Sequence, residues 1–266
     1  MVTNIRDIAA DPASTAMSET EWRTRVDLAA FYRLVDFNGW TDLIYNHLSA
    51  RIADAPDTYL VNAYGLMFEE ITASNLITVD VRNGEVLARP GSERGERNEA
   101  VHLLHGSVLR ARPDLQCLAH VHTPAIMAVS AMEGGLLPIT QTAMGFLGRI
   151  AFHDYGFDDR ACDRLVEDFA RADVVILRNH GVLIGGSTIP EAFLHLHNFE
   201  FACKAQVAAT ANAHPLLTPP AGVLAQHAGA IGHWLERDGG PRDSRGCVEW
   251  DACLRLLDRR GIRYAI

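Results

Sequence analysis

After Ser18 the apolar positions Trp22, Val26, Ala29, Ala30 and Leu34 recur at helical spacing, and Ser18-Glu19-Thr20-Glu21 has the form of a capping box. A helix is therefore predicted to open at Ser18, leaving residues 1–17 as a loose N-terminal arm. Between 42 and 81 the period changes. The pieces HLSARI, TYLVNAYG and LITVDV alternate modestly and are followed by the turn Arg82-Asn83-Gly84, as in a partly buried mixed sheet. A second helix is predicted over 98–111, stopping before Arg112-Pro113-Asp114, where proline and its predecessor resist helix. A strand over 115–122 follows. Thr123 then offers an N-cap and Pro124 a first helical position for a helix reaching Met132. Residues 158–172 read as an amphipathic helix and DVVILRNHGVLIGG as a strand broken by a tight Asn179-His180-Gly181 turn. A long helix over 188–213 and weaker ones near 221–237 and 248–260 complete the pattern. Helices alternating with strands predict a three-layer α/β sandwich, one domain over 18–266.

Composition narrows the function. A formal charge of −9, with no basic cluster, argues against nucleic acid, whose phosphates need a basic face. No apolar run has the length to cross a bilayer, and the first residues lack the apolar core of a secretory signal. The five cysteines are scattered and form no CxxC pair, the pattern of reduced thiols in a cytoplasmic protein.

The chemistry concentrates in Leu118-Ala119-His120-Val121-His122-Thr123-Pro124. Residues two apart in a strand share a face, so His120 and His122 present both rings to one side, a spacing that suits one metal ion. Two unrelated polar residues on a solvent-facing strand would look the same. His180 sits in a turn between two apolar strand pieces, where Gly181 eases the backbone and the ring can be aimed at a neighbouring strand end. Three such histidines would leave coordination positions open, the mark of a catalytic metal. His195 and His197 lie two apart on a predicted helix and cannot share an ion. His102 and His105 fall on one helix face, with an outer hydrogen-bonding role expected. There is no serine-nucleophile elbow and no glycine-rich phosphate loop.

HVHTP, RNHG, the ARPD before the first histidine pair, NHLSARI and NAYGLMFEEITASNL occur in an order and spacing that resembles the class II aldolase/adducin family, in particular its adducin-like bacterial branch. The resemblance implies a three-layer α/β/α sandwich with a mixed central sheet. It also implies a homotetramer with active sites between subunits. It makes His120, His122 and His180 the metal ligands and places Asn46, Ser49 and Gly65 in segments lining the substrate pocket. One departure matters. Family aldolases carry a glutamate four residues before the histidine that matches His105, acting as general acid/base; here Val101 stands there. Glu99 is two residues off, turned by roughly 200° on an α-helix. Losing such a group typically costs a factor of about 10²–10⁴.

What the departure leaves is three neutral nitrogens with open positions, suited to a ligand that brings its own chelate, such as a 2-oxo acid. The main expectation is a non-haem Fe(II) oxygenase that uses dioxygen to decarboxylate an aryl 2-oxo acid oxidatively. In the iron oxygenases of aminocoumarin antibiotic biosynthesis that share this fold, prenylated 4-hydroxyphenylpyruvate becomes the mandelate and then the 4-hydroxybenzoate. The stretch with Met127, Met132 and Met144 is either a lining for such a greasy substrate or plain core. The alternative is an aldolase or decarboxylase using Zn(II) or Mn(II). His105, Tyr155 and His153 are the expected catalytic side chains. A third reading is a non-catalytic, adducin-like interaction module.

Overall fold

A computed structural model describes residues 17–89, 97–154, 160–211, 214–227 and 247–266. Helix α1 (Glu19–Phe37) opens where the capping box predicts, with the Ser18 hydroxyl accepting from the Glu21 amide at 3.0 Å. Eight strands follow: β1 (His47–Ile52), β2 (Ala55–Asn62), β3 (Leu76–Asp80), β4 (Val86–Ala88), β5 (Cys117–Val121), β6 (Ile150–His153), β7 (Val174–Leu177) and β8 (Gly181–Gly186). They form one sheet in the order β4-β3-β2-β1-β5-β8-β7-β6. Only β6 and β7 pair in parallel, so the sheet is mixed.

Strand parity divides the buried residues into two layers. Leu48, Ala50, Cys117, Ala119, Val121, Val182 and Ile184 point to one face. That face is covered by α1 and by two further helices, α6 (Ile189–Thr210) and α7 (Val248–Arg259), through Leu28, Phe31, Phe193, Phe199 and Trp250. Val61, Leu118, Val175 and Leu183 point to the other face, beneath Val101, Val108 and Leu109 of α2 (residues 99–111) and Leu165 of α5 (Ala161–Asp168). The expected α/β/α sandwich is present. On the first face α3 (Pro124–Ser130), capped by Thr123 as its sequence requires, and the short α4 (Gln141–Met144) pack against α6. No helix among the described residues is long and apolar enough to cross a membrane.

The helix predicted over 98–111 departs from expectation. It is built from Glu99–Val101, a π-turn His102–Gly106 and Ser107–Ala111, together named α2. A π-turn carries more than 3.6 residues, so it rotates later side chains away from the simple α pattern. His102 and His105 consequently lose their shared face. His105 turns onto the sheet and is fully buried, while His102 lies against Gly84 and Gly106, where an added Cβ would come within 2.6 and 2.5 Å of its ring. Strand β4 had no distinct signal, and β2 ends at Asn62, before the predicted limit. The long helix stops at Thr210 and the last at Arg259. Helix near 221–237 is seen over 221–227, its remainder lying outside the described residues, as do residues 1–16 of the arm.

Candidate metal centre

The β1–β5 and β5–β8 registers decide what meets at the end of the sheet. Cα partners His47↔His120 and Val121↔Val182 put the start of β1, the end of β5 and the start of β8 side by side. The turn between β7 and β8 brings His180 across. Asn179 holds its turn with a left-handed φ of 57°, and its amide donates to the Ser130 carbonyl at 3.2 Å. Gly181 permits the close approach: a Cβ there would lie 2.6 Å from the Val121 carbonyl oxygen and 2.8 Å from the His122 ring.

His120, His122 and His180 thereby form a cluster in which one ring nitrogen of each lies within 4.8 Å of the others. Ring centroids are 4.4 Å apart for His120 and His122, 5.0 Å for His120 and His180, and 4.7 Å for His122 and His180. Hydrogen bonding sets the orientation of two rings. His120 Nδ1–H donates to the Val182 carbonyl at 2.9 Å, and His122 Nδ1–H donates to the Asp42 carboxylate at 3.2 Å. Both acceptors lack protons, so both rings carry hydrogen on Nδ1, which in a neutral ring leaves the lone pair on Nε2. Those two Nε2 atoms stand 2.7 Å apart. At that distance the two nitrogens need either a proton shared between them or a cation beside both lone pairs. The donor set therefore fits a cation, with carbonyl and carboxylate partners behind the ligating rings.

Burial keeps His120 and His180 neutral. It lowers the basicity of His120 well below the ordinary histidine value, reinforced by His47, His122 and His180 and opposed by the Val182 bond. Burial and then His122 bring His180 down to about 4. Neutral imidazole is the form that ligates a metal.

A polar chain continues from this cluster into the protein. The His47 ring lies 4.8 Å from that of His120. His47 Nδ1 and His105 Nε2 are 3.0 Å apart, and His105 Nδ1 is 2.6 Å from Ser49 Oγ. Burial holds His47 and His105 well below the ordinary value as well, with His105 the next cause for His47 and His120 the next for His105. His105 has no exposed surface and both its nitrogens are engaged, so it reaches the cluster only through His47. Its hydrogen bonds thus run to Ser49 and His47 and none to the three clustered rings.

The remaining expected residues are dispersed along the same end of the sheet. Asn46 is 1% exposed, its Nδ2 donates to the Trp40 carbonyl at 2.9 Å, and its buried Oδ1 has no partner among the described residues. Ser49 joins the His105 chain. Gly65, with a left-handed φ of 95°, lies in the turn after β2, two strands from β5. His153 ends the edge strand β6, three strand spacings or roughly 14 Å from β5, and its Nδ1 donates to Asp168 at 2.8 Å. Within one chain the strand order therefore does not bring this candidate acid/base to the histidine cluster. Tyr155 lies outside the described residues. His47 and Asp42 were missed in the sequence. The pair His47/Ser49 has the same two-residue spacing as His120/His122, but only the cross-strand register shows that it faces them.

Comparison with known proteins agrees with this architecture. Residues 26–207 match the family described as Class II Aldolase and Adducin N-terminal domain. A Pseudomonas aeruginosa protein provisionally named as a class 2 aldolase is 36% identical over 268 residues, 99% of each chain. Alpha-adducin of Rattus norvegicus is 37% identical over 272 residues, covering 99% of this chain but 36% of the adducin. The solved structure of an aldolase II superfamily protein from Pseudomonas syringae superimposes with a TM-score of 0.84 at 39% identity, covering 95% of this chain and 98% of that one. On the profile match, the full-length relatives and the shared fold, this chain belongs to the class II aldolase and adducin family.

Proposed function

We propose that the chain is a divalent-metal-dependent lyase, an aldolase or decarboxylase acting on a small oxygen-rich carbonyl compound, with His120, His122 and His180 holding the ion. The convergence of these three imidazoles carries the reading. The ion, when bound, supplies Lewis-acid polarisation of a carbonyl oxygen. The protein's part is to fix two of the rings, His120 through Val182 and His122 through Asp42, and to keep His120 and His180 unprotonated by burial. Val101 is packed in the apolar layer under α2, so no carboxylate handles protons from that position. Tyr155 is the side chain assigned to that task, and Tyr155→Phe tests it. The relatives that bear the aldolase name support this lyase reading better than the oxygenase first expected.

The all-nitrogen donor set favours a second reading, Fe(II) with dioxygen and an aryl 2-oxo acid, because no carboxylate among the described residues belongs to the cluster. One experiment separates them. Protein loaded under argon with Zn(II) or Mn(II) should cleave or decarboxylate members of a panel of 2-oxo and hydroxy acids. Oxygen uptake seen only with Fe(II) and an arylpyruvate would transfer the assignment to the oxygenase. Absence of turnover in both arms would leave an adducin-like interaction module. Assembly as a homotetramer belongs to the same proposal and is read from light scattering.

A further inference from the structure

The imidazole of His47 is unassigned by the metal reading, yet it adjoins the cluster and has its own buried support. What it can do depends on which nitrogen carries its proton, and the chain behind it decides this. Ser49 is fully buried, and among the described residues its hydroxyl has a single hydrogen-bond partner, His105 Nδ1 at 2.6 Å. A hydroxyl proton left without an acceptor in that dry layer is costly, so Ser49 donates and His105 Nδ1 accepts. A neutral His105 then bears its proton on Nε2, which donates across 3.0 Å to His47 Nδ1. A neutral His47 in turn bears its proton on Nε2. That atom is the end of the chain: unlike Ser49 and His105 at 0%, His47 retains 3% exposure, and its ring is 4.8 Å from that of His120.

We infer that His47 is not a fourth ligand but a fixed N–H donor beside the three-histidine centre, set by Ser49 and His105 to bind an anionic oxygen of a chelating acid such as a 2-oxo acid carboxylate. The inference rests on the metal reading and sharpens its substrate class. An N–H at His47 Nε2 cannot ligate a cation, so it leaves the open positions of the centre free and adds a partner for the incoming oxygen. Hydrogen bonds to charged acceptors are the stronger kind, so losing this one weakens binding about tenfold.

Oxalate is the probe, because it presents two chelating carboxylates and is not turned over as a 2-oxo acid would be. The Co(II)-loaded full chain is titrated with oxalate while its visible absorption is followed, and Co(II) affinity is measured separately by chelator competition. In His47→Ala, Co(II) affinity should stay at the wild-type level while oxalate affinity falls about tenfold. His47→Gln restores a side-chain N–H donor and should regain most of the loss. His47→Leu replaces the alanine variant if thermal melting shows that variant to be unfolded. Loss of Co(II) affinity in the alanine or leucine variant would make His47 a ligand and overturn the inference. Unchanged oxalate affinity, or no recovery with glutamine, would overturn it as well. Wild-type protein that binds no Co(II) would instead defeat the metal reading, and this inference with it.

Discussion

Along β1 and β5 the side chains on one face, Leu48, Ala50, Ala119 and Val121, are buried among hydrocarbon, while His47, Ser49 and His120 on the other face are almost equally buried and carry polar atoms. The two faces are held by different physics. Hydrophobic burial is non-directional, so the first face needs only volume and close packing. A buried polar atom must find a partner, so each atom on the second face fixes the next. Val182 and Asp42 orient His120 and His122, and Ser49 orients His105 and then His47. Directional accounting is what places imidazole nitrogens to within a bond's tolerance. The apolar face supplies the rigid strands on which that accounting is done.

Substitutions on the two faces should separate metal binding from folding. His120→Ala should reduce Zn(II) affinity by about 100-fold or more, exceeding the loss typical of outer-shell partners, with little change in the apo protein's unfolding. Leu48→Ala on the same strand should do the reverse, costing about 2–5 kcal/mol in denaturant unfolding while metal affinity persists in the folded protein. Calorimetric titration and urea melts of both variants check the pair. Equal effects on both observables would erase the distinction between the faces.

Asp42→Asn tests a partner behind one ligand. An amide accepts more weakly than a carboxylate, so Zn(II) affinity should fall by about tenfold, with the stoichiometry kept. Acid tests the polar face as a whole. His47, His105 and His120 have folded-state basicities below the unfolded value of about 6.5, so the unfolded chain binds more protons as pH drops below it. Their contribution is fully present above about pH 6.5 and is lost as pH falls toward the folded values. Urea midpoints in chelator should therefore drop between pH 7.5 and 5.5, each an experimental setting near the unperturbed value of about 6.5.

The smallest effect is expected where the apolar face holds a carboxyl. Asp27 of α1 bonds the Trp250 side chain of α7, and burial, partly offset by that bond and by Arg23, raises it to about 6. Its folded pKa lies above the unfolded one, so its charge is a destabilising element at neutral pH that fades as pH falls through about 6. Asp27→Asn keeps an acceptor for Trp250 and should raise the melting temperature at pH 8 by about 2 °C, less at acid pH. An equal shift at both would argue against a buried charge.

Much of this was readable in the chain because local rules settle it. The N-cap at Ser18, the Thr123-Pro124 helix start and the turn at His180 each depend on a few neighbouring residues. The two-residue spacing of His120 and His122 fixes a shared face without reference to any other strand. What escaped notice depends on pairing across the sheet. His47 matters because β1 lies antiparallel to β5 in one register, and a one-residue slip would turn it into the opposite layer. His153 was offered as a stand-in for the missing general acid/base, but β6 is an edge strand of the sheet, away from β5. The π-turn in α2 reaches its form through His105 packing on the sheet, a tertiary contact that helical periodicity does not contain.

The central claim is that side chains from two separated segments share one cation, and metal stoichiometry tests it most directly. Protein dialysed against Zn(II) and then buffer should retain one ion per chain by elemental analysis, and His180→Ala, folded by circular dichroism, should retain almost none. Retention by that variant equal to wild type would show that the ring at 180 is not part of the centre, and the account would be wrong.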